Sequence, residues 1–369
     1  MDKLKRFIDV YVPVTSCTLR CEYCYITHNR LFSAGLPEFK YDVETVRKGL
    51  SKERFGGVCL FNFCGGGETL LPPEMPKYIR AVLEEGHYVS VVTNATVDRA
   101  FDEFAAFPPE LLERLFFKFS YHYTQLKQRN LLDRFFANIK KVVDAGASFT
   151  LEATPSDEWI PYIEEMKERA LKEVGALPHI SVARDEHDMG EIPILTKMSR
   201  EEYYNFWMSS FDSKLFDFKM SVFNKKRNEF CYAGDWVNML DLGTGELSNC
   251  NCHLHSQNIF NNPQDPIRFC AIGHHCQLPH CFNAHVWMTF GCIPEMDTPS
   301  YTDMRNRTRA DGSEWLKPTV KTAFSQKLKD SNKEYGSIKK LSTDLSMDYV
   351  ILRRKAATAK RLIKAKLGK

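Results

Sequence analysis

The chain has 369 residues, 43% of them hydrophobic, with 50 Lys and Arg against 47 Asp and Glu for a net charge of +3. That length fits one large α/β domain plus a smaller one, and the apolar content can fill a real core. The opening "MDKLKRFIDVYVPV" has no apolar run of signal-peptide length followed by a small-residue cleavage site, and no run approaches the roughly 20 apolar residues of a membrane span, so a soluble, cytoplasmic protein is expected. Twelve cysteines are many for a reducing compartment, which makes metal ligation the leading explanation for them.

In chain order, the first strand is expected over 7–14 (FIDVYVPV), and the loop after it reads "CTLRCEYCY". Cys17, Cys21 and Cys24 supply three thiols at C-x3-C-x2-C spacing, enough for three corners of a 4Fe-4S cube with the fourth iron open. A zinc site completed by His28 is the alternative. Further strands are expected over 58–63, 88–93, 115–120, 148–153 and 179–184. Helical patterns lie between them, among them "DVETVRKGLSKE", "PPEMPKYIRAVLEEG", "LDRFFANIKKVVDAG" and "DEWIPYIEEMKERALKEVG". Strand and helix alternating six times predict a parallel sheet, most simply a partial β/α barrel, with ligands at the C-terminal ends of its strands. The Gly-rich turn "CGGGETLL" follows the second strand; its glycines let a ligand approach the backbone, and Glu68 can accept a hydrogen bond from an ammonium group.

These residues together resemble the radical S-adenosylmethionine (SAM) enzymes, whose hallmark C-x3-C-x-aromatic-C is met by Cys17, Cys21, Tyr23 and Cys24. The resemblance extends to Gly66, Gly67 and Glu68 as the turn that binds the methionine amino group. It includes Thr93 and Asn94 ending the third strand, and Ser120 as the fourth-strand serine near the ribose, although His122 stands where the family has Asp. It covers residues 7–200. What it implies is a 4Fe-4S cluster whose open iron is chelated by SAM, and an electron that cleaves the latter to a 5′-deoxyadenosyl radical able to abstract hydrogen from substrate. Arg184, at the end of the sixth run, is then a candidate for the methionine carboxylate. His122 and Tyr123 are candidates for touching substrate or relaying a proton. An external electron donor such as flavodoxin or ferredoxin is also implied.

Cys231, thirteen residues, Gly245, four residues and Cys250 fit the opening of the auxiliary-cluster region of the SPASM and Twitch subfamilies. Cys270, Cys276, Cys281 and Cys292 follow; the x5 gap is kept, the next is x4, and Ile267 stands where the pattern has its first cysteine. The resemblance implies one or two auxiliary iron-sulfur clusters. Cys231, Cys250 and Cys281, with Cys252 as fourth, form one expected set; Cys270, Cys276 and Cys292, with an open iron or His274, form another. A zinc ribbon is the alternative. Cys59 is expected in the core, and Cys64 in the core with facing the cofactor cavity as the alternative.

The organisation expected is a barrel over 1–200, an auxiliary-cluster domain over 201–300 and a basic, largely helical segment over 301–369. From Lys317 to Lys369 there are 15 Lys or Arg against 4 Asp or Glu, and Leu352, Ala356, Ala359, Ile363 and Leu367 share one helical face. That basic helix suits an acidic partner, a polyanionic substrate or a membrane surface; nucleic acid is not expected as a partner. Only 16 residues precede Cys17, so no fused N-terminal leader-binding domain is expected. The substrate expected is a peptide or protein that is oxidised or cross-linked. The alternatives are a sugar-like small molecule to be dehydrogenated, or a non-catalytic iron-sulfur or zinc scaffold for an anionic partner. The sequence names no general base.

Overall fold

Nine strands form one sheet in the computed structural model, which describes residues 3–185 and 190–366. They are β1 (Arg6–Val12), β2 (Cys59–Gly65), β3 (Tyr88–Thr93), β4 (Leu115–Ser120), β5 (Ser148–Ala153), β6 (His179–Ile180), β7 (Val237–Asp241), β8 (Glu246–Ser248) and β9 (Ser256–Asn258). Their order is β6-β5-β4-β3-β2-β1-β7-β8-β9. Strands β1 to β6 pair in parallel, each with the next in the chain. Helices fill the crossovers, so the first half is a partial β/α barrel. The cysteine-rich segment does not start a separate sheet. Its first strand, β7, adds in parallel to the free edge of β1, and β8 and β9 continue antiparallel.

Strands β3, β4 and β5 coincide with the apolar runs that predict them. The run over 179–184 departs. Ser181 N still donates to Ala153 O at 2.8 Å, but Asp185 N donates to Pro193 O and Leu195 N to Ala183 O, so the chain pairs with its own return segment instead of β5. The helix expected from "DVETVRKGLSKE" is two, Val43–Gly49 and Lys52–Phe55, because Ser51 leaves the helix and accepts from Arg54 N as a new N-cap. Pro161 likewise divides the helix expected over 157–175 into a 3₁₀ turn, Asp157–Tyr162, and an α-helix, Ile163–Val174.

Side chains alternate across each strand, so the barrel's inner face can be followed in layers. Phe7, Leu60, Tyr88 and Phe116 close the bottom against Trp236, Phe290 and Phe324. On the same face Asp9, Asn62 and Ser90 lie side by side in register, Lys118 is the partner of Val92, and Ser120 is the partner of Glu152. The outward faces, including Ile8, Val10, Phe61, Phe63, Val89, Val91, Phe117 and Phe119, pack in the main core.

His87 ties two of these elements together. Its Nδ1 accepts from Cys59 N at 3.0 Å and its Nε2 donates to Leu50 O at 2.8 Å, which fixes a neutral tautomer. Burial lowers its pKa to about 4. The unfolded imidazole titrates near 6.5, so between those values the unfolded chain binds more protons and stability falls as pH falls. The urea midpoint is expected to drop between pH 7 and pH 5, at roughly 1.4 kcal/mol per pH unit for this group; a flat profile over that interval would contradict the assignment.

The long terminal helix, Ser337–Lys366, is anchored at its start, where Thr343 and Met347 are buried. Asp344 accepts from His274 N at 3.1 Å. Ile338, Leu341, Leu345, Tyr349, Leu352 and Ile363 all lie exposed on the outer side. Leu367 lies outside the described residues. Among the described residues no helix is long and apolar enough to cross a membrane.

Candidate active site

At the C-terminal end of the barrel a cavity of about 170 Å³ brings together Cys17, Cys21 and Cys24, the turn Gly66–Gly67–Glu68, Thr93, Asn94, Ser120 and His122. The ends of three successive strands, β2 to β4, and the loop after β1 thus converge on one point. A larger opening of about 730 Å³, beside Arg47 and Arg54, lies at the other end of the barrel and contains none of the cysteines.

Close backbone contact holds the cysteine loop in place. Gly67 N donates to Val14 O at 2.6 Å and Glu68 N to Ser16 O at 2.9 Å. A Cβ on Gly67 would lie 2.0 Å from Ser16 O. The glycine therefore admits the chain's own cysteine loop, a role the expected ligand approach did not include. Gly67→Ala is expected to displace that loop at a cost of about 3 kcal/mol or more, with loss of bound iron. Urea unfolding and iron content check this, and a variant matching wild type in both would refute it.

Glu68 is buried, and its carboxylate accepts from Thr93 Oγ1 at 2.6 Å, Asn94 N at 2.7 Å and Leu70 N at 3.0 Å. It pins the turn to the end of β3, with lone pairs left over for an ammonium group. Asn94 Nδ2 reaches Thr18 Oγ1 at 2.9 Å and points at Cys17 Sγ, 3.6 Å away, while Leu19 N donates to the same sulfur at 3.4 Å. Burial, reinforced by Glu68, pushes the Cys17 thiol up to about 11, and burial raises Cys21 further. Both stay protonated at neutral pH unless a metal displaces the proton. Three thiols with donors aimed at sulfur fit an iron-sulfur cluster. Among the described residues no three His, Cys, Asp or Glu side chains converge on a single metal-ion position. A cube needs no such point, because each thiolate takes its own iron.

Tyr23 is tied by its hydroxyl to His122 Nδ1 at 2.7 Å and stands edge-on to Trp159. Burial lowers His122 to about 4, so it is neutral. Tyr123 is buried against Tyr121 and Tyr162, away from the cavity. Arg184 is not brought to the cavity; its Nη1 donates to Phe282 O at 3.3 Å, because residue 184 belongs to the return ladder with Ile194 and not to β6. His28 lies 3.9 Å from Asp185.

Residues 11–151 match the Radical SAM superfamily. The match runs from the end of β1 into β5 and includes every lining residue named above. No curated protein matches the chain. Among solved structures it is similar to Streptococcus suis SuiB bound to S-adenosylmethionine, with 14% identity over 70% of this chain and 65% of that one, at a TM-score of 0.47. It is also similar to native anSMEcpe with bound AdoMet, with 13% identity over 70% and 79% and a TM-score of 0.48. For BtrN in complex with AdoMet and 2-DOIA the values are 13%, 90%, 92% and 0.30. The chain thus spans less than two thirds of the length of SuiB. Likeness of this degree leaves substrate and partner open.

Beyond the matched segment, six late cysteines lie near one another. Cys231 neighbours Cys292, and Cys252 neighbours both Cys250, whose sulfur accepts from its backbone N–H at 3.3 Å, and Cys276. Cys281 neighbours Cys231, Cys276 and Cys252. Burial and these like-charged neighbours raise the Cys281 thiol, so here too a metal must displace the protons. The expected division into two sets is corrected on this point. Cys270 stands apart, beside Arg268, Asp235 and Lys339. The reason is local: Cys231 pairs with Gly273 in a short ladder in which Cys270 N donates to Gly234 O, and three residues along such a ladder puts Cys270 on the opposite face. His274 is also corrected, since its Nδ1 lies 2.9 Å from Asp344 of the terminal helix. Cys59 is buried in the core as expected, whereas Cys64 faces the lumen beside Asp9 and Lys118, where burial pushes it up to about 12.

Proposed function

We propose that this chain is a radical SAM enzyme that oxidises or cross-links a peptide or protein, with one auxiliary iron-sulfur cluster held by the six-cysteine group. The convergence of Cys17, Cys21 and Cys24 with the Gly66–Glu68 turn and Ser120 on one cavity carries the reading. Cys17, Cys21 and Cys24 would hold the 4Fe-4S cluster, and Gly66, Gly67, Glu68, Thr93, Asn94 and Ser120 would hold SAM. Bound there, the cluster supplies an electron and SAM the adenosyl radical that takes hydrogen from substrate. The chain's own contribution is position and dryness. Glu68 fixes the turn, Asn94 and Leu19 direct N–H groups at Cys17, and Tyr23, backed by Trp159, holds the lining His122, which stays neutral at pH 7. An external one-electron donor such as flavodoxin or ferredoxin is part of the proposal. So is an acidic partner, rather than a membrane, for the outer face of the terminal helix, because its exposed apolar stripe is narrow and flanked by Arg353, Lys355 and Lys360.

A second reading, dehydrogenation of a sugar-like small molecule, is favoured by the polar barrel interior below the cavity. Both differ from a non-catalytic scaffold in one assay: iron-loaded protein with dithionite and SAM should yield 5′-deoxyadenosine, and its absence would leave only the scaffold. Because the late thiols form a single group, anaerobic reconstitution should give about eight irons per chain. About twelve would show a third cluster and return Cys270 to the ligands; about four, with zinc bound, would make the late group a zinc site.

A further inference from the structure

The inner face of the barrel below the cavity carries charge that the proposed chemistry leaves unused. Asp9 accepts from two amides, Asn62 Nδ2 at 2.8 Å and Asn283 Nδ2 at 2.7 Å, and Ser90 Oγ donates to Asn62 Oδ1 at 2.9 Å. Across the lumen Arg305, fully buried, is ion-paired with Glu152, and Lys219 donates to Ser181 Oγ. Among the described residues, Lys118, Lys219 and Arg305 share this neighbourhood with Glu152 as their near counter-charge. Three cations there face two carboxylates, Asp9 and Glu152, and Asp9 already accepts from two amides.

An excess of buried cations is among the costliest arrangements a fold can keep, unless an anion completes it. Two further observations show that the place is unfinished. Arg305 Nε and His285 Nδ1 are buried with no hydrogen-bond partner. Asp9, Ser120, Glu152, Ser181, Lys219 and His285 also keep partial accessible surface although they lie inside the barrel, so the lumen is open. It is also contiguous with the cavity above, since Ser120 lines that cavity and pairs in register with Glu152.

We propose that this lumen is an anion site, in which a carboxylate or phosphate group of the substrate is held by Lys118, Lys219 and Arg305 beneath the SAM cavity. The proposal rests on the radical reading only for calling the ligand the substrate; the charge imbalance stands without it. The test uses the full chain and needs no turnover. Thermal midpoints are measured with succinate, its neutral counterpart succinamide, inorganic phosphate, and NaCl at matched ionic strength. Succinate or phosphate should raise the midpoint by about 3 °C or more at saturation, and succinamide and NaCl should not. A response to succinate alone assigns a carboxylate, and one to phosphate alone a phosphoryl group. Lys219→Met and Lys118→Met should weaken the response at least tenfold in apparent affinity while melting no lower than wild type, because each removes a repelled cation. Absence of an anion-specific shift would overturn the proposal. So would an undiminished response in both variants, or destabilised or unfolded variants, which would make the cations structural. Formation of 5′-deoxyadenosine is assayed separately, so failure of the radical reading leaves the binding result interpretable.

Discussion

Cys21→Ala is expected to lose about four irons per chain and all formation of 5′-deoxyadenosine, while remaining folded. Cys21 is 6% exposed at the inner end of its loop and lines the cavity with Cys17 and Cys24. Two thiols cannot hold a cube that needs at least three protein ligands to leave one iron open for SAM. The packing change is small by comparison: trimming a buried cysteine to alanine costs about 1 kcal/mol. Cys59→Ala supplies the matched control. Cys59 is also buried but sits in the core on β2, so that variant should lose a similar amount of stability and keep both iron and SAM cleavage. Iron analysis, circular dichroism and detection of 5′-deoxyadenosine decide the matter. Full iron in folded Cys21→Ala would remove this loop from the cluster site, and loss of iron in Cys59→Ala would show that the effect is general unfolding.

What could be read from the chain and what could not divide along a physical line. The runs over 88–93, 115–120 and 148–153 give the strands because strands of a covered parallel sheet are apolar on both faces. The place of β7 beside β1 had no such signal. A parallel pairing between Val10 and Leu240 leaves no local pattern, so the cysteine-rich region reads as a separate unit when its first strand in fact extends the barrel's sheet. Linear spacing grouped Cys270 with Cys276 and Cys292, but spacing is blind to the face of a ladder on which a side chain emerges. Arg184 was lost in the same way, since a run that begins as β6 ends as a partner of Ile194. The charged lumen did leave a trace. Asp9 in "FIDVYV", Asn62 in "VCLFNF" and Lys118 in "LFFKFS" each interrupt an otherwise apolar strand. A polar residue in a strand covered on both faces must have a partner or a task.

The second large effect separates Cys250 from Cys270, which the spacing alone treats alike. Cys250 is buried in the six-thiol group and its sulfur accepts from Cys252 N at 3.3 Å, whereas Cys270 donates to Ala271 O on the other face of the ladder. Cys250→Ala should therefore lose about four irons while keeping those at Cys17, Cys21 and Cys24, so SAM cleavage persists. If the auxiliary cluster takes the substrate's electron or anchors the substrate, 5′-deoxyadenosine then forms without product. Cys270→Ala should retain all its iron and its product. One complication follows from the proposed site, because a cluster joining the segments around residues 231, 250, 276 and 292 would also contribute folding energy. Asp344, bonded to His274, and Arg354, bonded to His253 O, brace two of those loops from the terminal helix independently of metal. The region should thus stay folded in Cys250→Ala, and near-ultraviolet circular dichroism reports whether it does. Full product from a folded Cys250→Ala protein lacking its auxiliary iron would make the late cysteines structural, and iron loss in Cys270→Ala would bring Cys270 into the ligand set.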